Sequence, residues 1–160
     1  MLSGRSCVAV NGRGFALVLF AIWLAACQKG TVTDATLQLP EQGASVSVRR
    51  VGAHPFLAEY DRFIVVRSAG KADLVVPMAE DPGGLVRINV YRPSADILLL
   101  VDRSGFYKVD LANFTAGTME RIASPSGSTF MGAFDQENRK WQFIGVEKRK
   151  ELSVENKSAG

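Results

Sequence analysis

The chain has 160 residues, of which 47% are hydrophobic, and a formal net charge of +3 at pH 7. This length is sufficient for one domain with a hydrophobic core of its own. The small net charge argues against a protein that binds nucleic acid through clustered basic residues. A single histidine, His54, excludes a metal site built from several histidines.

The chain begins with a basic leader and an apolar segment. Arg5 and Arg13 precede residues 14–26, which carry no charge. This segment is shorter than the roughly 20 residues that a membrane-spanning helix needs. A short apolar segment after a basic leader is typical of a signal peptide, which we expect to be helical.

The apolar segment ends in Leu24-Ala25-Ala26-Cys27, which is an aliphatic residue, two small residues and a cysteine. This tetrapeptide resembles the lipobox of bacterial lipoproteins, and the resemblance covers residues 1–27. It implies cleavage between Ala26 and Cys27 and attachment of diacylglycerol to the sulfur of Cys27. The membrane of a bacterial cell envelope is then the first expected partner of the chain.

The residue after the cysteine indicates which membrane of the envelope would hold the protein. In enteric bacteria an aspartate there retains a lipoprotein at the inner membrane, so Gln28 favours the periplasmic face of the outer membrane. Two other interpretations stay open, namely a plain secretory signal with an incidental cysteine and an uncleaved anchor. The leader is long, so the true start codon could also lie downstream of Met1.

Removal of the signal peptide would change the composition of the chain. Residues 1–26 hold two basic and no acidic residues, so Lys+Arg falls from 19 to 17 against 16 Asp+Glu. The mature chain would be nearly neutral, with a formal net charge of +1. Cys7 would be lost with the leader and Cys27 blocked by lipid, so we expect no disulfide.

The rest of the chain is patterned as short strands separated by turn residues, without a helical period of ten or more residues. We interpret as strands residues 36–39, 45–49, 62–67, 73–78, 85–91, 97–101, 106–111, 130–134 and 140–146. Pro77 has no amide donor, so its strand should end there or lie at a sheet edge. Turns are expected at residues 92–95, 102–105 and 135–138, with a positive φ at Gly105.

This spacing predicts an all-β fold, a small antiparallel meander of about eight strands that forms a barrel or a sandwich. We expect a signal peptide at residues 1–26, a tether at 27–35, one β-rich domain at 36–147 and a flexible tail at 148–160. Residues 112–128 are rich in loop formers, although 118–123 could form a helical turn or a further strand.

No catalytic motif emerges from the mature sequence. His54 precedes a proline in a loop, and most of the carboxylates occupy turn positions, among them Asp81, Asp102 and Asp135. The sequence predicts no catalytic residue, no metal ligand and no cofactor.

The polar face of the strands is the expected partner surface. Arg87, Asn89 and Tyr91 share one face of a strand, Lys108 points outward from another, and Trp141 is an aromatic candidate for the same role. We therefore expect a non-catalytic, lipid-anchored envelope protein that binds a protein or cell-wall partner. Two alternatives are a small-ligand carrier with a barrel cavity and, less favoured, a small hydrolase that uses Asp or Glu with His54.

Overall fold

The computed structural model describes residues 31–54, 57, 59–81, 83, 87–120, 125 and 127–148. These residues form ten β-strands and one short 3-10 helix, arranged in two antiparallel sheets. The sheets are not joined into a closed barrel, and they pack face to face as a sandwich. The all-β prediction is confirmed, with ten strands in place of about eight.

The first sheet has four strands in sequence order, and each strand pairs with the next. Its strands are β1 (Val32–Leu39), β2 (Ala44–Gly52), β3 (Tyr60–Ser68) and β4 (Leu74–Pro77). The 3-10 helix Pro40–Gln42 connects β1 to β2 and ends at Gly43, whose φ of 57° is left-handed. Pro77 closes β4, which is an edge strand as the missing amide donor predicts.

The second sheet has six strands in the order β10-β9-β5-β6-β7-β8. They are β5 (Ile88–Ser94), β6 (Ile97–Val101), β7 (Phe106–Asp110), β8 (Thr115–Met119), β9 (Thr129–Glu137) and β10 (Lys140–Gly145). Strands β5 to β8 form a meander. The chain then passes from β8 at one edge to β9, which pairs with β5 on the other side.

The core lies between the two sheets and is built by every second residue of the strands. In β2 and β3 these are Val46 and Val48 and, on the neighbouring strand, Ile64 and Val66. The facing sheet adds apolar side chains that are likewise shielded from solvent, namely Ile88, Val90, Leu98, Leu100, Val109 and Phe134. The period of two in the sequence therefore sets the inner face correctly in both sheets.

Several element boundaries differ from the sequence-based expectations. Strand β1 begins at Val32, inside the segment expected to be a tether, and β8 lies in the segment expected to be mainly loop. Strand β5 continues to Ser94 through an irregular register beyond Tyr91, where a turn was expected. The last hairpin turns at Asn138 and Arg139 rather than at residues 135–138, because β9 stays paired through Glu137.

The turn at residues 102–105 forms as predicted, but for a different reason at its glycine. The carboxylate of Asp102 accepts the backbone N–H groups of Ser104 (2.7 Å) and Gly105 (2.8 Å). Gly105 does not have a positive φ. A Cβ at this position would lie 2.7 Å from the hydroxyl of Tyr107, so close packing and not backbone conformation requires the glycine.

Candidate functional site

Two arginines point into the sandwich at one end. Arg50 and Arg62 are directly paired across β2 and β3, and they continue the inward register of Val48 and Ile64. Their exposed fractions are 6% and 1%. We call this end of the molecule the charged end; β1 begins here, β2 passes into β3 here, and Asp102 begins the β6–β7 turn here.

The buried charge of Arg62 is balanced by hydrogen-bonding groups that connect the two sheets. Its guanidinium donates to the carboxylate of Asp102 at 2.6 Å and to the carbonyl oxygen of Ala79 at 2.6 and 2.9 Å. Ala79 in turn donates its N–H to the hydroxyl of Tyr107 at 2.8 Å. Tyr107 lies in β7 and Asp102 directly follows β6, and both strands belong to the six-stranded sheet. This network therefore connects the layers through a fully buried ion pair.

Arg50 is held more loosely than Arg62. Its Nη2 lies 3.4 Å from the carboxylate of Asp81, and its guanidinium lies over the rings of Tyr60 (3.9 Å) and Trp141 (4.6 Å). Nε of Arg50 is buried and has no hydrogen-bond partner in the described part of the chain. Burial lowers the pKa of Arg50, and the nearby charge of Asp81 partly opposes this.

The inward orientation of Arg50 and Arg62 could have been predicted from the strand pattern. Val46, Val48 and Arg50 fall two residues apart, as do Arg62, Ile64 and Val66. An arginine on the apolar register of a strand needs a buried acidic partner. The partners, Asp81 and Asp102, stand in turn contexts, and nothing local in the sequence links them to these arginines.

Trp141 does not share a surface with the other residues of the expected partner surface. It lies on the inner face of β10, where it packs against the core, and its indole N–H donates to the carbonyl oxygen of Val48 at 2.9 Å. Its ring stacks with Phe134 at a centroid distance of 6.5 Å. Trp141 thus joins β10 to the opposite sheet.

Arg87, Asn89 and Tyr91 do lie together, on the outer face of the six-stranded sheet. Arg87 donates to the side-chain oxygen of Asn89 at 2.9 Å, and Asn89 donates to the Tyr91 hydroxyl at 3.3 Å. Asn89 and Tyr91 are only 2% and 5% exposed. Tyr91 belongs to a second apolar cluster on this face, whose other buried members are Leu99 and Val101.

Lys108 is the exposed member of the expected partner surface. It lies on the outer face of β7, directly beside Leu99 of β6 in the sheet. Its ammonium group is 3.6 Å from the carboxylate of Asp110. The structure therefore brings four of the five residues to one face, with two of them buried.

A depression lies at the charged end beside the buried arginines. It has a volume of about 220 Å³ and is lined by Ala53, Glu59, Tyr60, Asp61, Glu80 and Asp81. His54 adjoins Ala53 in the exposed segment that follows β2, but it is not among the lining residues. The carboxylate of Asp81 is occupied, because it accepts the N–H of Gly83 at 3.2 Å and faces Arg50.

A second depression, of about 330 Å³, lies at the opposite end, between the β1–β2 and β3–β4 turns. Gln38, Ser45, Arg67 and Ser68 contribute its polar side chains. Arg67 is already paired there with Asp73 at 2.9 Å.

Within the described ranges, no group of three or more His, Cys, Asp or Glu side chains is placed to hold a metal ion. Among the same residues, no helix has the length and apolar character to span a bilayer. Ala26 and Cys27, the predicted cleavage and lipid-attachment residues, lie outside the described residues.

No protein-family model, curated protein or solved structure matches this chain. The class that the fold defines is an antiparallel β-sandwich.

Proposed function

We propose that this chain is a lipid-anchored bacterial envelope protein whose β-sandwich binds a protein or a cell-wall component without catalysing a reaction. The observation that carries the proposal is the tetrapeptide Leu24-Ala25-Ala26-Cys27 after an uncharged apolar segment. A lipid on Cys27 would hold the sandwich close to the membrane, because β1 begins at Val32, five residues after Cys27. Gln28 favours the periplasmic face of the outer membrane.

The anchor is tested by metabolic labelling with a fatty acid in a bacterial host. We expect the wild-type chain to carry label and the Cys27→Ser variant to carry none. Cys7→Ser is the matched control, since it removes the other cysteine of the chain and should leave labelling intact. Label retained by Cys27→Ser would contradict the proposal.

The packing of the interior favours a surface binder over a small-ligand carrier. The inward side chains of both sheets form one contacting cluster, and those of Val46, Ile64, Val90 and Leu100 have no exposed surface. A carrier needs a cavity of several hundred Å³ lined by apolar residues. The larger depression described above is at one end of the sandwich and carries Gln38, Ser45 and Arg67.

The binding function is tested by capture from envelope extract and from purified peptidoglycan. Immobilised wild-type domain should retain a specific envelope protein or peptidoglycan. We expect Lys108→Glu to weaken this retention, whereas Lys148→Glu, an equal charge change at another exposed lysine, should not. Retention of neither material would contradict a binding role.

A small hydrolase is the second candidate, because one observation favours it. Glu59, Asp61 and Glu80 line the depression at the charged end, and the segment with His54 adjoins it. Ester, amide and glycoside substrates should be tested with wild-type protein, His54→Ala and Glu80→Gln. Glu41→Gln, at the opposite end, is the control; activity lost in the first two variants and kept in the third would favour the hydrolase.

A further inference from the structure

The first residue of the chain that the structure describes, Thr31, lies at the charged end. The carbonyl oxygen of Thr31 accepts the N–H of Gly52 at 3.0 Å, so the chain is held in the fold from Thr31 onward. Three residues, 28–30, separate Thr31 from Cys27. Four backbone steps span at most about 14 Å, at roughly 3.5 Å per residue.

The strand pairing shows which groups share this end. Val32 pairs with Val51, Gly52 pairs with Tyr60, and Tyr60 forms an isolated bridge with Asp81. The other end of the same sheet, where Leu39 pairs with Ala44, lies further along β1. Seven steps of roughly 3.3 Å place it about 23 Å away.

Exposed apolar side chains are present at the charged end. Val32 is 58% exposed at the start of β1, and Leu57, in the segment between β2 and β3, is 54% exposed. Neither side chain contributes to the two apolar clusters of the sandwich. Apolar surface of this kind gains stability when it leaves water for the boundary of a bilayer.

We propose that the charged end faces the bilayer that holds Cys27, with Val32 and Leu57 in contact with the lipid headgroup layer. This inference rests on the proposed function, because the lipid on Cys27 brings that end to the membrane. The short reach between Cys27 and Thr31 keeps the end there, and the two apolar side chains bias its orientation. The opposite end, with the β1–β2 and β3–β4 turns, is then directed into the periplasm.

Charge does not drive this orientation. Three acidic side chains, Glu59, Asp61 and Glu80, are accessible at the charged end. Three exposed basic side chains lie there as well: Arg103 in the β6–β7 turn, Arg139 in the β9–β10 turn and Lys140 at the start of β10. These opposite charges leave little net attraction to an anionic membrane. Zwitterionic lipid should therefore be sufficient to observe the orientation.

The test is collisional quenching of a fluorophore by a nitroxide on the lipid headgroup. The full-length processed protein is reconstituted in phosphatidylcholine vesicles, with the label on Leu57→Cys or on Ala69→Cys, both exposed positions at opposite ends. Thioether-linked Cys27 does not react with the label. We expect several-fold stronger quenching at residue 57 than at residue 69; equal quenching, or stronger quenching at 69, would overturn the inference.

A second pair of variants tests the apolar contact. With the label on Asp61→Cys, we expect Leu57→Glu to reduce quenching and Val146→Glu, at a 51% exposed valine away from this end, to leave it unchanged. Unchanged quenching in Leu57→Glu would refute the contact. Intact mass is measured first: absence of lipid on Cys27 would refute the proposed function, whereas lipid on Cys27 with equal quenching would refute the orientation alone.

Discussion

Buried charges at one end of the sandwich are the most demanding single-residue feature of this fold. Arg62 and Asp102 are almost without exposed surface, and each depends on the other for compensation. A buried pair of this kind contributes little over an apolar pair, but loss of one partner leaves a charge without compensation. Replacement of either residue alone should therefore destabilise the fold, because the remaining charge would be buried without its partner.

We predict that Asp102→Ala lowers the free energy of unfolding by about 3–5 kcal/mol. The substitution leaves the Arg62 guanidinium without its carboxylate and removes the acceptor of the Ser104 and Gly105 N–H groups. Urea denaturation measures the loss. Asp73→Ala is the control, since it breaks the exposed pair with Arg67 and should cost about 0–1 kcal/mol. Similar losses in both variants would contradict this description of the charged end.

Tyr107 gives the fold a dependence on alkaline pH. Burial raises the pKa of its phenol, so the folded state favours the protonated form. The resulting stability is complete below the ordinary tyrosine pKa of about 10 and is lost as pH rises through the higher pKa of the folded state.

We predict two effects for Tyr107→Phe. At neutral pH it should lower the free energy of unfolding by about 1–3 kcal/mol, because the N–H of Ala79 loses its acceptor. Above pH 10 the difference from wild type should shrink, since only wild type then loses the contribution of Tyr107. Denaturation curves at pH 7 and pH 11 test this, and a difference that grows with pH would contradict it.

Among the strands, β9 contains the position that tolerates the least change in side chain, Gly132. Its register with β5 shifts between Val90 and Tyr91, so Met131 is an extra residue, and Gly132 beside it has a φ of 139°. A Cβ at Gly132 would collide with the backbone of β10, including the Cα of Gly145 at 2.9 Å. The glycine thus serves both the bulge in β9 and the close pairing with β10.

We predict that Gly132→Ala lowers the free energy of unfolding by about 3 kcal/mol or more, through backbone strain and overpacking. Gly117→Ala, in edge strand β8, is the matched control because the new methyl group meets nothing within 4 Å. It should be neutral or slightly stabilising. Equal effects of the two substitutions in thermal unfolding would contradict the role given to Gly132.

The strands themselves were predictable because each is a local pattern. Residues 97–101 form β6 with the expected boundaries, and Ile88 and Val90 face the core as the alternation indicates. Three features depend on contacts between distant residues and were not predicted: the start of β8 at Thr115, where only residues 118–123 were considered as a further strand, the pairing of β9 with β5, and the Arg62–Asp102 pair. Local propensity contains no information on which turn carboxylate will meet a buried arginine.

At the scale of the whole molecule, the described residues form a two-layer sandwich in which β1 begins at the charged end. The order of the strands in the sheets decides whether the residues of the predicted partner surface lie together. Arg87, Asn89 and Tyr91 share a face as expected, but Trp141 on β10 points to the interior. Periodicity assigns faces within a strand, whereas the sheet order decides which faces of different strands coincide.

The central claim is that this sandwich is attached to a membrane through Cys27. It is tested most directly by intact-mass and N-terminal peptide analysis of the full-length gene product isolated from bacterial envelopes. We predict a mature chain that begins at Cys27 and carries the mass of at least a diacylglyceryl group. A mature chain that begins at another residue, or an unmodified Cys27, would contradict it.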